Sequence, residues 1–289
     1  MTQAAEKIIY LPLNELHPFP NHPFKVQDDE QMEKTAESIR QQGVLVPGIV
    51  RPRAEGGYEI VSGHRRKRAC ELAGIDTMPV IVRNLDDDAA ILVMVDTNLQ
   101  REHILPSERA FAYKMKLEAL RRQGKSIDPT SSQVGMKLQT LDLIGENAGD
   151  SRNQVHRFIR LTNLIPPLLQ MVDEKKIKFN PAVELSYLTP NEQEQIIAAL
   201  EQAQTSPSLS QAQRLKKLSQ EGKLTREAMD EIFAEVKKPP LDQSFLHNPK
   251  IRKYFPKSYS DEKVADVILR LVESWHKQQV KKRQQQQGR

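Results

Sequence analysis

Residues 61–69 read VSGHRRKRA: an apolar pair, a Ser-Gly step, then a run in which four of five residues are cationic. Tyr58–Val61 is a β-prone run, and Ala69 leads through Cys70 to Ala73 before Gly74. A strand that turns at a glycine into a helix points free backbone N–H groups outward, and such a helix start stabilises an anion. Two readings of the charge stay open, a solvated helix face or a cradle for phosphates. Arg65, Lys67 and Arg68 cannot all face one ligand on a helix, so some of them are solvated under either reading.

Working outward, Ile8–Leu11 is a short β-prone run followed by the loop HPFPNHPFKV (17–26). Asp28–Gln42 carries Met32, Ala36 and Ile39 at helical spacing and stops at Gly43. Residues 44–50 and 58–61 read as strands either side of an EGG turn, and 79–82 as another. Three aspartates at 86–88 start a helix that runs to about Asn98. After Pro106 the strand signals end, and Ala110, Tyr113, Leu117 and Leu120 form one helical stripe. Further helices are expected at about 137–147, 151–163, 166–175, 181–187, 190–203, 209–219 and 225–236, before the KKPP boundary at 237–240. The expected fold class is therefore α+β. A small mixed domain (1–105) precedes an all-helical domain (106–238) and a C-terminal segment (239–289). Within that segment 261–277 is an amphipathic helix, and QQVKKRQQQQGR (278–289) reads as low-complexity and disordered.

The charge distribution narrows the readings of the cationic run. Of 289 residues 38% are hydrophobic, 28% charged and 5% aromatic, with a formal net charge of +5; such a chain is modular and helix-rich. Residues 1–105 hold 12 Lys/Arg against 16 Asp/Glu, so the run at 64–68 lies in an acidic domain. A local site for a small phosphorylated ligand fits that balance better than a broad nucleic-acid surface. Residues 241–289 hold 11 basic against 5 acidic residues, a basic tail suited to nonspecific phosphate contact. With Cys70 as the single cysteine, an intrachain disulfide and cysteine-rich metal sites are excluded. The N-terminus lacks the apolar core of a signal peptide and no stretch approaches a membrane span, so a cytoplasmic protein is expected.

The stretch LDLIGENAGDSRNQVHRFIRL (141–161) has the offsets of a helix-turn-helix, with Ile144, Gly145, Gly149, Val155 and Phe158 at the anchor and turn positions. With Val155 and Phe158 inward, Ser151, Arg152, Asn153, His156, Arg157 and Arg160 point outward, a face with no acid and with groups that bond base edges and phosphates. The competing reading is an ordinary helical hairpin with a solvated basic face. Basic and acidic residues balance over 128–190, seven against seven, so affinity must come from that face, the tail or dimerisation. In DTNLQREHILPSERA (96–110), Asn98, Gln100 and Arg101 end one helix before a loop, where they either coordinate a metal or phosphate or simply form a surface helix end.

These elements occur in a fixed order, and in that order the chain resembles the ParB family of chromosome and plasmid partition proteins. The family's GERRxRA-like box appears as Gly63-His64-Arg65-Arg66-Lys67-Arg68-Ala69, its ENxQR box as Thr97-Asn98-Leu99-Gln100-Arg101, and its helix-turn-helix start as Ser151-Arg152. The resemblance spans roughly residues 8 to 200 and implies a CTP-gated dimeric clamp. Such a clamp loads on double-stranded DNA at a palindromic centromere-like site, binds CTP with Mg²⁺ in its front domain, and is served by a ParA-like ATPase. It implies nucleotide contacts from Lys25, Gly63, His64, Arg65, Arg66, Asn98, Gln100 and Arg101, with Asn98 as the Mg²⁺ ligand, and DNA contacts from Ser151, Arg152, Asn153, His156, Arg157 and Arg160. Two departures bear on it. His22-Pro23-Phe24-Lys25 stands where the family reads QPR, and a lysine lacks the bidentate fork. Thr97 replaces the family glutamate, which weakens the case for CTP hydrolysis.

Two alternatives follow from the same residues. One is a transcriptional regulator or nucleoid-associated adaptor of this fold without hydrolysis. The other is an enzyme: sulfiredoxins share a Gly-Cys-His-Arg element, but Ser62-Gly63-His64-Arg65 has no cysteine to act as nucleophile, and Asp86–Asp88 is better explained as a helix start than as a nuclease metal site. In the last segment Val264, Ile268, Leu271 and Trp275 form an apolar stripe, which either packs on its own domain or pairs with a second copy in a homodimer.

Overall fold

Short alternating strands build the front of the molecule. In the computed structural model, which describes residues 7–101, 104–123, 133–146, 148–203, 205–235, 248–256 and 258–287, five strands form one sheet. They are β1 (Ile8–Pro12), β2 (Leu16–His17), β3 (Gly48–Pro52), β4 (Tyr58–Ser62) and β5 (Thr77–Val82), in the order β1-β5-β3-β4-β2. β1 runs antiparallel to β5 and β3 to β4, while β3 and β5, and β2 and β4, are parallel. Helices α1 (Glu30–Gln42) and α2 (His64–Ala73) pack together over the sheet. Asp29 caps α1 by accepting from the Met32 N–H at 2.8 Å, and Met32, Ala36 and Ile39 are the buried stripe the spacing predicts. Gly43 ends α1 with φ +73°, a value that favours glycine. The strand expected over 44–50 begins only at Gly48: Leu45 and Val46 are exposed, and the Val46 and Pro47 carbonyls accept from Arg66 instead of joining a ladder.

Among the described residues from 87 to 234 the elements are helices: α3 (Asp87–Leu99), α4 (Pro106–Arg122), α5 (Gln133–Glu146), α6 (Arg152–Leu161), α7 (Pro166–Asp173), α8 (Phe179–Leu185), α9 (Pro190–Ala203), α10 (Leu209–Gln220) and α11 (Arg226–Ala234). The class is thus α+β. The chain forms two compact units, Met1–Ala234 and Glu235–Arg289, and the division expected at 105/106 falls inside the first. The reason is a shared core. Met94, Val95 and Leu99 on α3 and Ala110, Tyr113 and Leu117 on α4 are buried in one apolar cluster that also takes Phe19 and Phe24 from the front loop and Phe158 from α6.

The second unit contains a single turn, Pro249–Arg252, and a terminal helix, Asp261–Gln287. Val264 and Ala265 are buried against Phe255, Tyr259 and Ile268, while Leu271 and Trp275 remain exposed. Where disorder is expected from 278 onward the terminal helix runs on through Gln287, because Gln, Lys and Arg are good helix formers and no Gly or Pro lies within 261–287. Among the described residues no helix is long and apolar enough to cross a membrane.

Candidate functional site

The strand-to-helix turn at Gly63 has φ +118° and caps α2. A Cβ there would lie 3.3 Å from Gly48 Cα and 3.5 Å from Arg66 Cζ, so the glycine admits both β3 and the arginine. The cationic run then divides its labour. Lys67 Nζ donates to Leu16 O at 2.7 Å, and Arg68 makes two bonds to Asp28, at 3.0 and 2.6 Å, and one to Glu71. Arg66 Nη1 donates to Val46 O at 2.7 Å and also to Pro47 O, tying α2 to the loop before β3. Arg65 alone of the four lines the adjacent cavity, its Nη2 donating to Asp29 Oδ1 at 3.1 Å. These hydrogen bonds hold the Asp28 and Asp29 carboxyls below the usual carboxylate range.

That cavity measures about 390 Å³ and is lined by Lys25, Gln27, Asp29, Glu30, Gln31, Arg65, Arg101, Leu105 and Glu108. It brings Arg65, at the start of α2, beside Arg101, just past the end of α3, so two separate sequence boxes meet in one hollow. Burial pushes both the Arg101 and Arg66 guanidiniums below the ordinary arginine value, and Arg65 and Arg66 lower Arg101 further through charge repulsion. An anion between them would relieve that repulsion. Arg101 Cζ also sits 5.5 Å over the Phe24 ring.

The other expected front residues are placed as follows. Lys25 lines the cavity, its backbone N–H donating to Glu108 Oε1 at 2.7 Å and its Nζ 3.6 Å from Asp173. A second cavity of about 690 Å³ shares Lys25, Gln27 and Leu105 with the first. Asn98 is buried, its Nδ2 donating to Met94 O at 2.7 Å, so its oxygen is the atom it would offer a metal. Gln100 is exposed at the C-cap of α3. His64 is buried, accepts from the Phe19 N–H at Nε2 (3.2 Å), and its pKa is pushed down to about 3 by burial and then by His22, Arg101 and Lys67. It is therefore a packing residue of the turn.

Two residues of the site escape sequence reasoning. The His22 ring stacks on His64 with centroids 3.8 Å apart, its Nδ1 pairs with Phe24 O at 2.7 Å, and burial lowers its pKa. Glu108 accepts from the Lys25 N–H and, at 3.0 Å, from the Leu105 N–H, fastening the front loop to the start of α4. Only the aromatic and histidine content of HPFPNHPFKV hinted at the first, and the capping position after Pro106 at the second.

In the rear half α5 and α6 meet at a turn built on two glycines. Gly149 has φ +69°, and a Cβ on Gly145 would press into the Asp150 carbonyl. Ile144, Val155 and Phe158 are buried, and Ser151 caps α6 by accepting from Gln154 N–H at 3.3 Å. Ser151, Asn153 and His156 are exposed. Arg152 makes a bidentate pair with Asp142 of α5 at 2.9 and 2.7 Å. Arg157 bonds Asn180 and lies 5.2 Å over the Phe179 ring. Arg160 donates to Ser186 O at 2.8 Å, against the end of α8. The outward face is thus partly pinned by the helices beside it.

Asp150, immediately before the cap, accepts from Tyr113 Oη and, at 3.3 Å, from Arg109 Nη1, both on α4. Burial, then that hydrogen bond, raises the Tyr113 pKa.

The sequence is similar to known proteins. Residues 1–99 match the family model described as the ParB N-terminal domain. The chain is 31% identical over 193 residues to the chromosome-partitioning protein Spo0J of Thermus thermophilus, covering 67% of this chain and 65% of the relative. It is 32% identical over 176 residues to the nucleoid occlusion protein of Halalkalibacterium halodurans, covering 61% and 56%. The chain therefore spans less than two thirds of the length of these curated relatives. Among solved structures, a C-terminally truncated ParB from Caulobacter crescentus complexed with CTP-gamma-S is 28% identical over 66% of this chain and 99% of that one, with a TM-score of 0.32. The front of the chain thus matches the ParB N-terminal domain, and about two thirds of the chain is similar to chromosome-partitioning and nucleoid occlusion proteins.

Proposed function

We propose that the chain is a DNA-binding partition protein whose front cavity takes up CTP with Mg²⁺ and whose helix-turn-helix holds a palindromic DNA site. It would work as a nucleotide-gated dimeric clamp in chromosome, plasmid or mobile-element segregation, alongside a ParA-like ATPase. The observation that carries this reading is the meeting of Arg65 and Arg101 in one cavity, next to a loop that is fastened to the helical half through Glu108. The name of the Thermus relative, a chromosome-partitioning protein, supports the partition role.

The residues present suit the ligand. Two guanidinium forks and Lys25 offer donors to a triphosphate, and a cavity of about 390 Å³ lies within the size range of small-molecule sites. Mg²⁺ keeps most of its waters and takes one or two protein oxygens beside the phosphates; the cavity carboxylates Asp29 and Glu108 would supply such oxygens, and Asn98, buried outside the cavity lining, would have to bring its oxygen to it. Arg66 serves from behind, by holding the loop at 46–47 against the start of α2. The reading covers binding and not hydrolysis. Thr97, in the family glutamate's place, spends its hydroxyl on Val93 O at 2.9 Å and Met94 O at 3.1 Å.

That commitment of Thr97 also favours a second reading, a DNA-bound regulator or nucleoid-associated adaptor, and the nucleoid occlusion relative supports it. Cross-linking of each labelled nucleoside triphosphate, with and without the DNA the protein selects from a genomic library, separates the two. CTP-selective retention raised by that DNA is expected of the clamp. If no nucleotide is retained under either condition, only the regulator remains.

A further inference from the structure

We infer that the DNA interface extends beyond the helix-turn-helix to a phosphate-binding clamp formed by Tyr187 and Lys216, with Arg160 as its fixed charge. The inference rests on the DNA-binding reading above and adds a contact from α10, a helix outside the motif. Arg152, His156 and Arg160 are spaced four apart along α6, so Arg160 ends the same face that carries the exposed DNA-directed residues. A recognition helix that enters the major groove by its N-terminal residues carries its far end out towards the phosphate backbone. What surrounds Arg160 is therefore what the backbone would meet.

What surrounds it is cationic. Arg160 Cζ lies 4.0 Å from the centroid of the Tyr187 ring, and Lys216 Nζ lies 3.7 Å from the same centroid. Two cations share one phenol ring, and the acid in contact is Glu184, at 2.9 Å from Lys216 Nζ. The group thus holds two positive charges against one negative. Arg160 Nη2 is spent on Ser186 O, and its buried Nε–H has no hydrogen-bond partner among the described residues, so this guanidinium is a pinned charge. Lys216 gives one of its three N–H groups to Glu184 at 2.9 Å, and its remaining N–H groups and the Tyr187 hydroxyl are the donors a phosphate would meet. Tyr187 keeps 38% of its surface exposed. An ammonium on an aromatic face beside a fixed guanidinium is a phosphate site without sequence information, because phosphate contacts position a protein without reading bases.

A 30-base-pair duplex of arbitrary sequence tests this, since backbone contacts do not depend on sequence. Its affinity for the full chain is measured across a salt series. Lys216→Gln should flatten the plot of log affinity against log salt by about 0.9, the release of one counterion. Lys216→Arg should restore the slope. Lys217→Gln, one residue along α10 and far more exposed, should leave it unchanged. An unchanged slope in Lys216→Gln, or equal flattening by Lys216→Gln and Lys217→Gln, overturns the clamp while leaving the helix-turn-helix reading intact. Absence of duplex binding by the unmodified chain at low salt would overturn the DNA-binding reading itself, and the clamp with it. Thermal melting of each variant shows whether a lost slope reflects a lost fold.

Discussion

Gly145→Ala tests the turn on which the rear half depends. Gly145 lies within α5, where alanine would ordinarily stabilise a helix by about 1 kcal/mol relative to glycine. Here the added methyl meets the Asp150 carbonyl oxygen far inside contact distance and Val155 Cγ2 at 3.0 Å. The first neighbour is backbone and cannot swing aside. It is held by the Asp150 N–H, which donates to Gly145 O at 3.1 Å, and by the Asp150 carboxylate, which Tyr113 and Arg109 grip. To reach an ordinary C···O separation the turn must open by on the order of 1 Å. With backbone as the obstacle, overpacking costs about 2–3 kcal/mol, the upper end of its usual range, which exceeds the helix-propensity gain. The net loss of about 1–2 kcal/mol lowers Tm by roughly 2–8 °C in a unit of this size, read by calorimetry or circular dichroism. Since the shift falls on the residue before Ser151, affinity for the selected DNA should fall by more than the stability loss alone explains. Gly149→Asn is the control, because nothing lies within 4 Å of its Cβ and asparagine tolerates its φ of +69°. A Gly145→Ala protein that melts at or above the parent temperature and binds DNA normally would refute the close approach.

Three further outcomes follow from the front cavity and its link to α4. Arg65→Ala and Arg101→Ala should each weaken triphosphate binding about tenfold, an effect of about 1.4 kcal/mol, with little change in Tm; Arg66→Ala should lower Tm as well, because it frees the Val46 and Pro47 carbonyls. Isothermal titration and melting on the same samples separate them, and equal Tm losses for all three would remove the distinction. His64 is held neutral with a pKa of about 3, so the unfolded chain binds the extra proton first. Stability from this group is present above about pH 6.5 and drains away as pH falls towards 3, by roughly 2 kcal/mol at pH 5. His64→Asn should flatten the pH dependence of urea midpoints over that window, and an unchanged slope would argue that the imidazole is solvated. Tyr113→Phe leaves Asp150 short of one donor and should cost about 1–2 kcal/mol, with a double-mutant cycle against Asp150→Asn showing coupling above 0.5 kcal/mol.

Local signals in the chain carried the architecture well. Met32, Ala36 and Ile39 recur at helical spacing and are buried, and Gly43 and Gly74 stop their helices at positive φ. The Gly145–Gly149 offsets are legible because Gly145 leaves no room for a Cβ and Gly149 takes a positive φ that glycine and asparagine tolerate best. The site was legible only in outline. Which of four adjacent cations faces the cavity depends on partners 20 to 40 residues away, Val46 for Arg66 and Asp28 for Arg68, and no periodicity encodes those. Glu108 reads as a helix-capping residue, yet its other oxygen fastens Lys25 from 83 positions upstream. The boundary at 105/106 is a change of composition, from strands to helices, and such a change says nothing about whether α3 and α4 bury their apolar faces on each other. Residues 278–287 misled for a different reason, since low complexity in Gln and Lys is equally compatible with a helix.

The shared core makes α4 the element that touches both the front loop and the turn before α6. Its first turn holds Glu108, which bonds the front loop, and the next residue and Tyr113 hold Asp150 at the turn before α6. α4 packs on α3, α5, α6 and α7, with Tyr113 and Phe158 rings 5.9 Å apart in an edge-on arrangement. Packed interiors do not deform smoothly, so a small displacement of the first turn is passed on as a displacement of the whole helix. An anion drawn between Arg65 and Arg101 acts on that first turn through two changes. It takes over the positive field that Glu108 now answers, since Glu108 raises the Arg101 pKa, and it repels the Glu108 carboxylate that fastens Lys25. Loss of the Lys25–Glu108 bond would free the front loop from α4 and leave the helix to be positioned by Asp150 and the rear core. By linkage, DNA that tightens the α6 turn would alter nucleotide affinity by the same factor. Glu108→Gln, which keeps an acceptor for the Lys25 N–H but discards the charge, should bind nucleotide and lose most of that reciprocity.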